Sequence, residues 1–272
     1  MTITVMKMQG AGNDYLFWEG VATPPHPRRL AKVLSSRQYG IGADGLVLIL
    51  PSPIADAKMV MFNSDGSEGA MCGNAIRCIG KYLFARDTSK QSLQIETKSG
   101  IKTLIKDPHT KDVWVNMGKV MPIVSPKNGV PFWLRQKGCV GYPVSVGNPH
   151  LVFFEATPSL SPARISKTAE RIPCFYQGVN IEVATVESPT IAKVSVWERG
   201  SGETLSCGTG ATAVTAVGMA LGILKKDATI SLCFKGGELR VNKDEKNHFW
   251  LGGETRFIYR GDMEIEDSLF YT

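Results

Sequence analysis

The sequence predicts an α+β protein of two domains related by a pseudo-twofold axis, each strand-rich and wrapped around one central buried helix. Three observations lead there. SEGAMCGNAIRC (Ser67 to Cys78) and ETLSCGTGA (Glu203 to Ala211) share a Cys-Gly core followed by an apolar run, and Cys72 and Cys207 lie 135 residues apart in a chain of 272. The same offset relates Gly12-Asn13 to Gly147-Asn148, Asn63 to Glu198 and Gly45 to Asn180. Each half also runs through one order of patterns: strands, the Cys-Gly turn, a helical stretch, then more strands.

The elements follow in order. TITVMKM, LVLIL and KMVMF read as strands, being alternating or short apolar runs. After Cys72, the residues Ile76, Ile79, Leu83 and Phe84 recur at i, i+3, i+7 and i+8, one buried helical face. LQIET, GIKTLIK and VWVNM are the next strands. A segment rich in Gly and Pro, about residues 117 to 138, reads as the connection, so residues 1–118 form the first half and 119–261 the second. The second half repeats the plan with YPVSV, HLVFF, VNIEVATV and AKVSVW. Its helix carries Ala211, Val214, Val217, Ala220 and Leu221, and is so small and apolar that it must be buried all round. TISLCF, ELRVN and FWLGGE close it.

Composition narrows the function. The formal charge is +6, but Lys and Arg are scattered and do not interleave with aromatics, which argues against nucleic acid. The N-terminus has no basic-then-apolar signal pattern, and the longest apolar run, Ala211 to Leu224, is short of the roughly 20 residues a membrane span needs. No membrane partner and a cytoplasmic location are therefore expected, with the six cysteines reduced. No pair of cysteines has C-x-x-C spacing and the four histidines stand apart from them, so no metal is expected.

Cys72 and Cys207 carry the chemistry. A residue just before a helix faces unpaired backbone N–H groups and the positive end of the macrodipole, and both favour thiolate over thiol. Two such starts on opposite sides of a cleft between the halves would place one anion between two sulfurs. That arrangement suits inversion of an amino-acid α-carbon, a thiolate removing the proton from one face while a thiol supplies one to the other. Oxidation should then join the two sulfurs and inactivate the enzyme. Cys78, Cys139, Cys174 and Cys233 have no matched partner and read as small packing residues. His150 follows directly on one copy of the Gly-Asn match. Glu198 and Arg199 can hold a substrate's ammonium and carboxylate, and Asn13, Asn63, Asn148 and Asn180 both donate and accept.

The motifs MKMQGAGNDY, GIGADGLVLI, FNSDGSEGAMCGNAIRC, SVGNPH, GVNIEV and ERGSGETLSCGTGA, in this order over nearly the whole chain, resemble the diaminopimelate epimerase family. The resemblance implies a pyridoxal-phosphate-independent isomerase that needs no cofactor and interconverts LL- and meso-diaminopimelate, on the route to lysine and peptidoglycan. It implies that each domain is a strand-rich, barrel-like sheet around its helix, that the protein is a homodimer, and that a last strand, about 262 to 272, returns to the first domain. It makes Cys72 and Cys207 the acid/base pair and gives His150 and Glu198 a part in proton transfer. Gly73, Asn74, Gly208 and Thr209 become the backbone seat of the reacting carboxylate. Asn13, Asn63, Asn148, Asn180, Glu198 and Arg199 become substrate contacts. The chain departs from the family pattern at Ala75, Ile76 and Gly45, so a racemase of another acidic amino acid such as glutamate, or relaxed specificity covering both, is the alternative.

Overall fold

The computed structural model describes residues 2–123, 134–136, 138–156 and 159–265, and the chain divides into two compact units, 1–115 with 254–272 and 116–253. In the first unit the strands are β1 (Thr2–Gly10), β2 (Asn13–Glu19), β3 (Gly45–Leu50), β4 (Ala57–Asn63), β5 (Glu68–Gly69), β6 (Ser92–Thr97), β7 (Gly100–Lys106) and β8 (Val113–Gly118). Its helices are α1 (Pro27–Ser35) and α2 (Gly73–Arg86). The second unit holds β9 (Met121–Pro122), β10 (Leu134–Gln136), β11 (Cys139–Ser145), β12 (Pro149–Glu155), α3 (Pro162–Ala169), β13 (Asn180–Ser188), β14 (Ile191–Glu198), β15 (Gly202–Glu203), α4 (Gly208–Ala220), β16 (Ile230–Phe234), β17 (Gly237–Lys243) and β18 (Phe249–Gly252). The last described strand, β19 (Thr255–Glu264), pairs antiparallel with β1. Most of the segment expected to return to the first half, 266–272, lies outside the described residues.

Strand pairing repeats. In the first unit β1–β2 is antiparallel, β2–β3 parallel, β3–β4 antiparallel, β4–β6 parallel, and β6–β7 and β7–β8 antiparallel. In the second the same series runs β11–β12, β12–β13, β13–β14, β14–β16, β16–β17 and β17–β18 with the same directions. Each parallel pair is bridged by a helix, α1 for β2–β3, α2 for β4–β6, α3 for β12–β13 and α4 for β14–β16, because a parallel connection needs a crossover. The halves of the sequence therefore share one topology as well as one motif. The sheets are open: among the described residues no hydrogen bonding closes either run of strands into a barrel.

Among the described residues each unit has two α-helices where periodicity predicted one, and the second also has a 3-10 turn at Pro173–Phe175. α1 and α3 are nine and eight residues long, each with a proline at its start and a largely polar sequence, so only a few apolar side chains announce them. They matter because they sort the strand faces. Leu16, Leu46, Leu48 and Phe62 pack with Leu30 and Leu34 of α1, and Leu151, Phe153, Ile181 and Val183 pack with Ile165 and Ala169 of α3. Side chains alternate along a strand. Tyr15 thus turns to the face opposite α1, and His150, Asn180 and Glu182 to the face opposite α3.

On those opposite faces lie the central helices. α2 packs on β1, β7 and β19, and α4 on β11, β12, β13, β17 and β18. α4 is buried along nearly its whole length, as its composition required. Crowding is tightest where glycine lets it be: a Cβ on Gly80 of α2 would sit 2.6 Å from Leu104 Cδ2, and one on Gly218 of α4 2.5 Å from Leu224 Cδ1.

Candidate active site

Cys72 and Cys207 occupy one structural position. Each is the residue immediately before a central helix, with extended backbone at φ −130°, ψ 123° and φ −134°, ψ 117°. Gly73-Asn74 and Gly208-Thr209 form the first helical residues beneath them, where amide groups lie beyond the reach of intrahelical acceptors. The two sulfurs nevertheless have different surroundings.

Cys207 is buried, 4% exposed, and its Sγ accepts from Gly210 N–H at 3.3 Å and lies 3.3 Å from Thr209 Oγ1. Burial pushes its thiol well above the ordinary cysteine range, and the carboxylates of Glu198 and Glu182 push it further in the same direction. The bonds to Thr209 and Gly210 act the other way and are outweighed. The helix-start expectation of a lowered pKa is therefore corrected at Cys207: desolvation and two nearby negative charges exceed the pull of the helix terminus.

Glu198 connects the set. It ends β14, accepts a 2.5 Å bond from Thr204 Oγ1, hydrogen-bonds Cys207 and feels the charges of Glu182 and His150. Burial raises its own pKa, with Glu182 adding to the rise and Thr204 and Cys207 opposing it. His150, fully buried on β12, has Nδ1 2.7 Å from Glu182 Oε1, so Nδ1–H donates to that carboxylate and the ring is fixed. Its Nε2 then faces Asn148 Oδ1 at 3.0 Å and Asn180 Nδ2 at 3.5 Å. Asn180 also donates to Pro149 O (3.1 Å) and accepts from the backbone N–H of Arg199 (2.8 Å), which places Arg199 at the same strand end. Two carboxylates, a histidine, two amides and a thiol are thus gathered in the second unit.

Sequence reasoning missed Glu182. It is fully buried, its Oε2 has no hydrogen-bond partner among the described residues, and Oε1 would lie 2.6 Å from a Cβ on Gly210, so that glycine makes room for the carboxylate. The available signal was one acid inside the apolar run VNIEVATV.

In the first unit, Asn13 opens β2 directly after a two-residue turn in which Ala11 and Gly12 both have positive φ, 49° and 87°. That is the turn of a tight hairpin, and glycine meets it at no steric cost. Asn63 closes β4, its Nδ2 donating to Ser67 Oγ at 2.9 Å. Asn74 is buried and Cys72 half-buried. Two further residues, unmarked in the motif reading, stand near the sulfur. Tyr15 Oη is 3.1 Å from Cys72 Sγ, and the fully buried Arg77 donates from Nη1 to Gly73 O at 3.2 Å. Burial pushes the Cys78 thiol up to about 12, in keeping with packing and not with reactivity.

The fold is shared with solved structures of more than one kind, a hydroxyproline epimerase and PhzF-family proteins among them. The solved hydroxyproline epimerase of Agrobacterium vitis superposes with a TM-score of 0.72 at 13% identity, over 96% of this chain and 91% of that one. Sequence places the chain more narrowly. Residues 5–122 and 142–258 match the family described as "Diaminopimelate epimerase", and the chain belongs to that family. The diaminopimelate epimerase of Acetivibrio thermocellus is 41% identical, over 96% of this chain and 98% of that protein, and that of Methanococcus maripaludis is 38% identical, over 95% and 99%.

Proposed function

We propose that the chain epimerises LL- to meso-diaminopimelate with its own two thiols as acid and base. The observation that carries this is the recurrence of a cysteine at one backbone position of one duplicated topology. Inversion needs a base on one side of the α-carbon and an acid on the other. Cys207, held as a thiol by burial and its two carboxylates, is the proton donor of the resting form. Cys72 removes the α-proton in that direction, and the roles reverse on the way back. The first-turn groups Gly73, Asn74, Gly208 and Thr209 seat the substrate carboxylate, whose charge grows as the α-proton leaves. Asn13, Asn63, Asn148, Asn180, Glu198 and Arg199 hold the rest of the substrate, with His150 and Glu198 relaying charge to Cys207.

Incubating purified protein in deuterium oxide with LL-diaminopimelate, meso-diaminopimelate, glutamate and proline, and following α-proton exchange, tests the reading. Exchange restricted to diaminopimelate is the expected result. Full exchange in Cys72→Ala or Cys207→Ala overturns it.

The working form is a homodimer built on β19, where the large apolar side chains of Phe257, Ile258 and Tyr259 are exposed in a row. Sedimentation equilibrium should give twice the chain mass, and Ile258→Glu should reduce it. We assign the enzyme to the cytoplasm, since free thiols at both working positions need a reducing compartment, and cell fractionation checks this. Among the described residues, no helix is long and apolar enough to cross a membrane.

A further inference from the structure

We propose that Tyr15 is a positioning residue for Cys72, its hydroxyl hydrogen-bonding the sulfur and holding it as the thiolate. The inference rests on the epimerase reading for its catalytic meaning, but not for its chemistry.

Four observations carry it. The first is contact: Tyr15 Oη and Cys72 Sγ are 3.1 Å apart. The second is fixity. Tyr15 is 4% exposed, and its ring meets Phe17 edge-on, with centroids 6.4 Å apart and planes at 73°. The third is position in the repeat. Tyr15 and His150 lie 135 residues apart, each on the second long strand of its unit, and each is matched across a parallel pair, Tyr15 with Gly45 and His150 with Asn180. Tyr15 therefore stands in the first unit where the second unit has its buried histidine.

The fourth is charge. The repeat positions of Glu182 and Glu198, the two carboxylates that add to burial in keeping Cys207 protonated, are taken in the first unit by Val47 and Asn63. The repeat position of Thr212 is taken by Arg77. Both side chains bond the carbonyl of the first helical residue, Thr212 Oγ1 to Gly208 O at 2.9 Å and Arg77 Nη1 to Gly73 O at 3.2 Å. Arg77 brings a buried cation whose Nε and Nη2 have no hydrogen-bond partner among the described residues. The Cys72 side thus pairs a hydroxyl donor with a buried cation, and the Cys207 side has carboxylates.

A phenol with its ordinary pKa of about 10 stays protonated at neutral pH, and a donor bonded to a thiolate favours the charged form. The other charged and titratable groups bearing on this region are Arg77, Cys78 and Lys81 of α2, Asp112 ahead of β8, and Lys102 on the α2 side of β7. Tyr15→Phe leaves each of these side chains in place, and Arg77 is the one among them that also feels the Tyr15 hydroxyl.

The test is Tyr15→Phe, which keeps the ring and removes the donor. Iodoacetamide alkylation of Cys72 and Cys207 is followed against pH by peptide mass spectrometry in both proteins. The expected result is a Cys72 profile displaced upward by about one pH unit, with Cys207 unmoved and the acid limb of kcat/KM displaced with Cys72. An unmoved Cys72 profile overturns the proposal, as do two profiles that move together, which would report a loosened fold. Alkylation needs no substrate, so the outcome stands apart from the exchange experiment, which tests the epimerase reading by itself.

Discussion

His150 Nδ1 and Glu182 Oε1 stand 2.7 Å apart with both side chains sealed from solvent. Glu182 thereby does two things at once: it orients the imidazole, and it adds negative charge beside Cys207. In Glu182→Gln an amide oxygen can still accept from Nδ1, while the charge is gone. The Cys207 alkylation profile should move down by about one pH unit, since a nearby like charge is removed from the thiolate form. Peptide-resolved alkylation against pH checks this, and Cys72 serves as the internal control.

Glu198 makes stability depend on pH. Its folded pKa is raised, by burial first, so its unfolded form gives up a proton at lower pH than its folded form. Its contribution is fully present below about pH 4.3, the unfolded value, and is lost as pH rises through the folded value. Glu198→Gln should therefore gain in Tm relative to the parent between pH 4 and pH 7. Calorimetry at the two pH values measures it, and the same variant should lose epimerisation.

Gly45 is held by backbone. A Cβ there would fall 2.4 Å from Phe62 O in the paired strand β4, an obstacle no rotamer can move. Gly45→Ala should cost about 1–3 kcal/mol, and a longer side chain such as glutamine no less. Urea unfolding gives the number directly.

Ile165 tests whether α3 is a working part of the fold. It is 3% exposed and packs with Leu151, Phe153 and Ile181. Ile165→Ala should cost about 2–5 kcal/mol by denaturant unfolding. If the variant remains folded, the exchange rate should fall less than in either cysteine variant, because the residue lies on the strand face away from His150.

Much of this was legible in the sequence, for physical reasons. The Cys-Gly turns and the central helices were readable because a buried helix needs a long apolar run and a helix start needs small residues. The 135-residue register proved the strongest signal, and it fixes which strand ends correspond. α1 and α3 were not legible: helices of nine and eight residues with a few buried side chains make almost no periodic signal. Glu182 hid because a single acid in an apolar strand looks like a solvent-facing position until a helix is known to cover the other face. Tyr15 hid because its role depends on a contact across 57 residues. The state of Cys207 was misjudged because dipole and capping are local features that a sequence displays, whereas desolvation and the approach of Glu198 belong to the tertiary fold.

Because Arg77 and Thr212 fill one slot of a repeated plan, as do Val47 and Glu182, the two helix-start cysteines sit among separate sets of side chains. Inherited change can adjust the acidity of one sulfur and leave its twin as it was. The duplicated frame keeps the two neighbourhoods independent, each with its own dial.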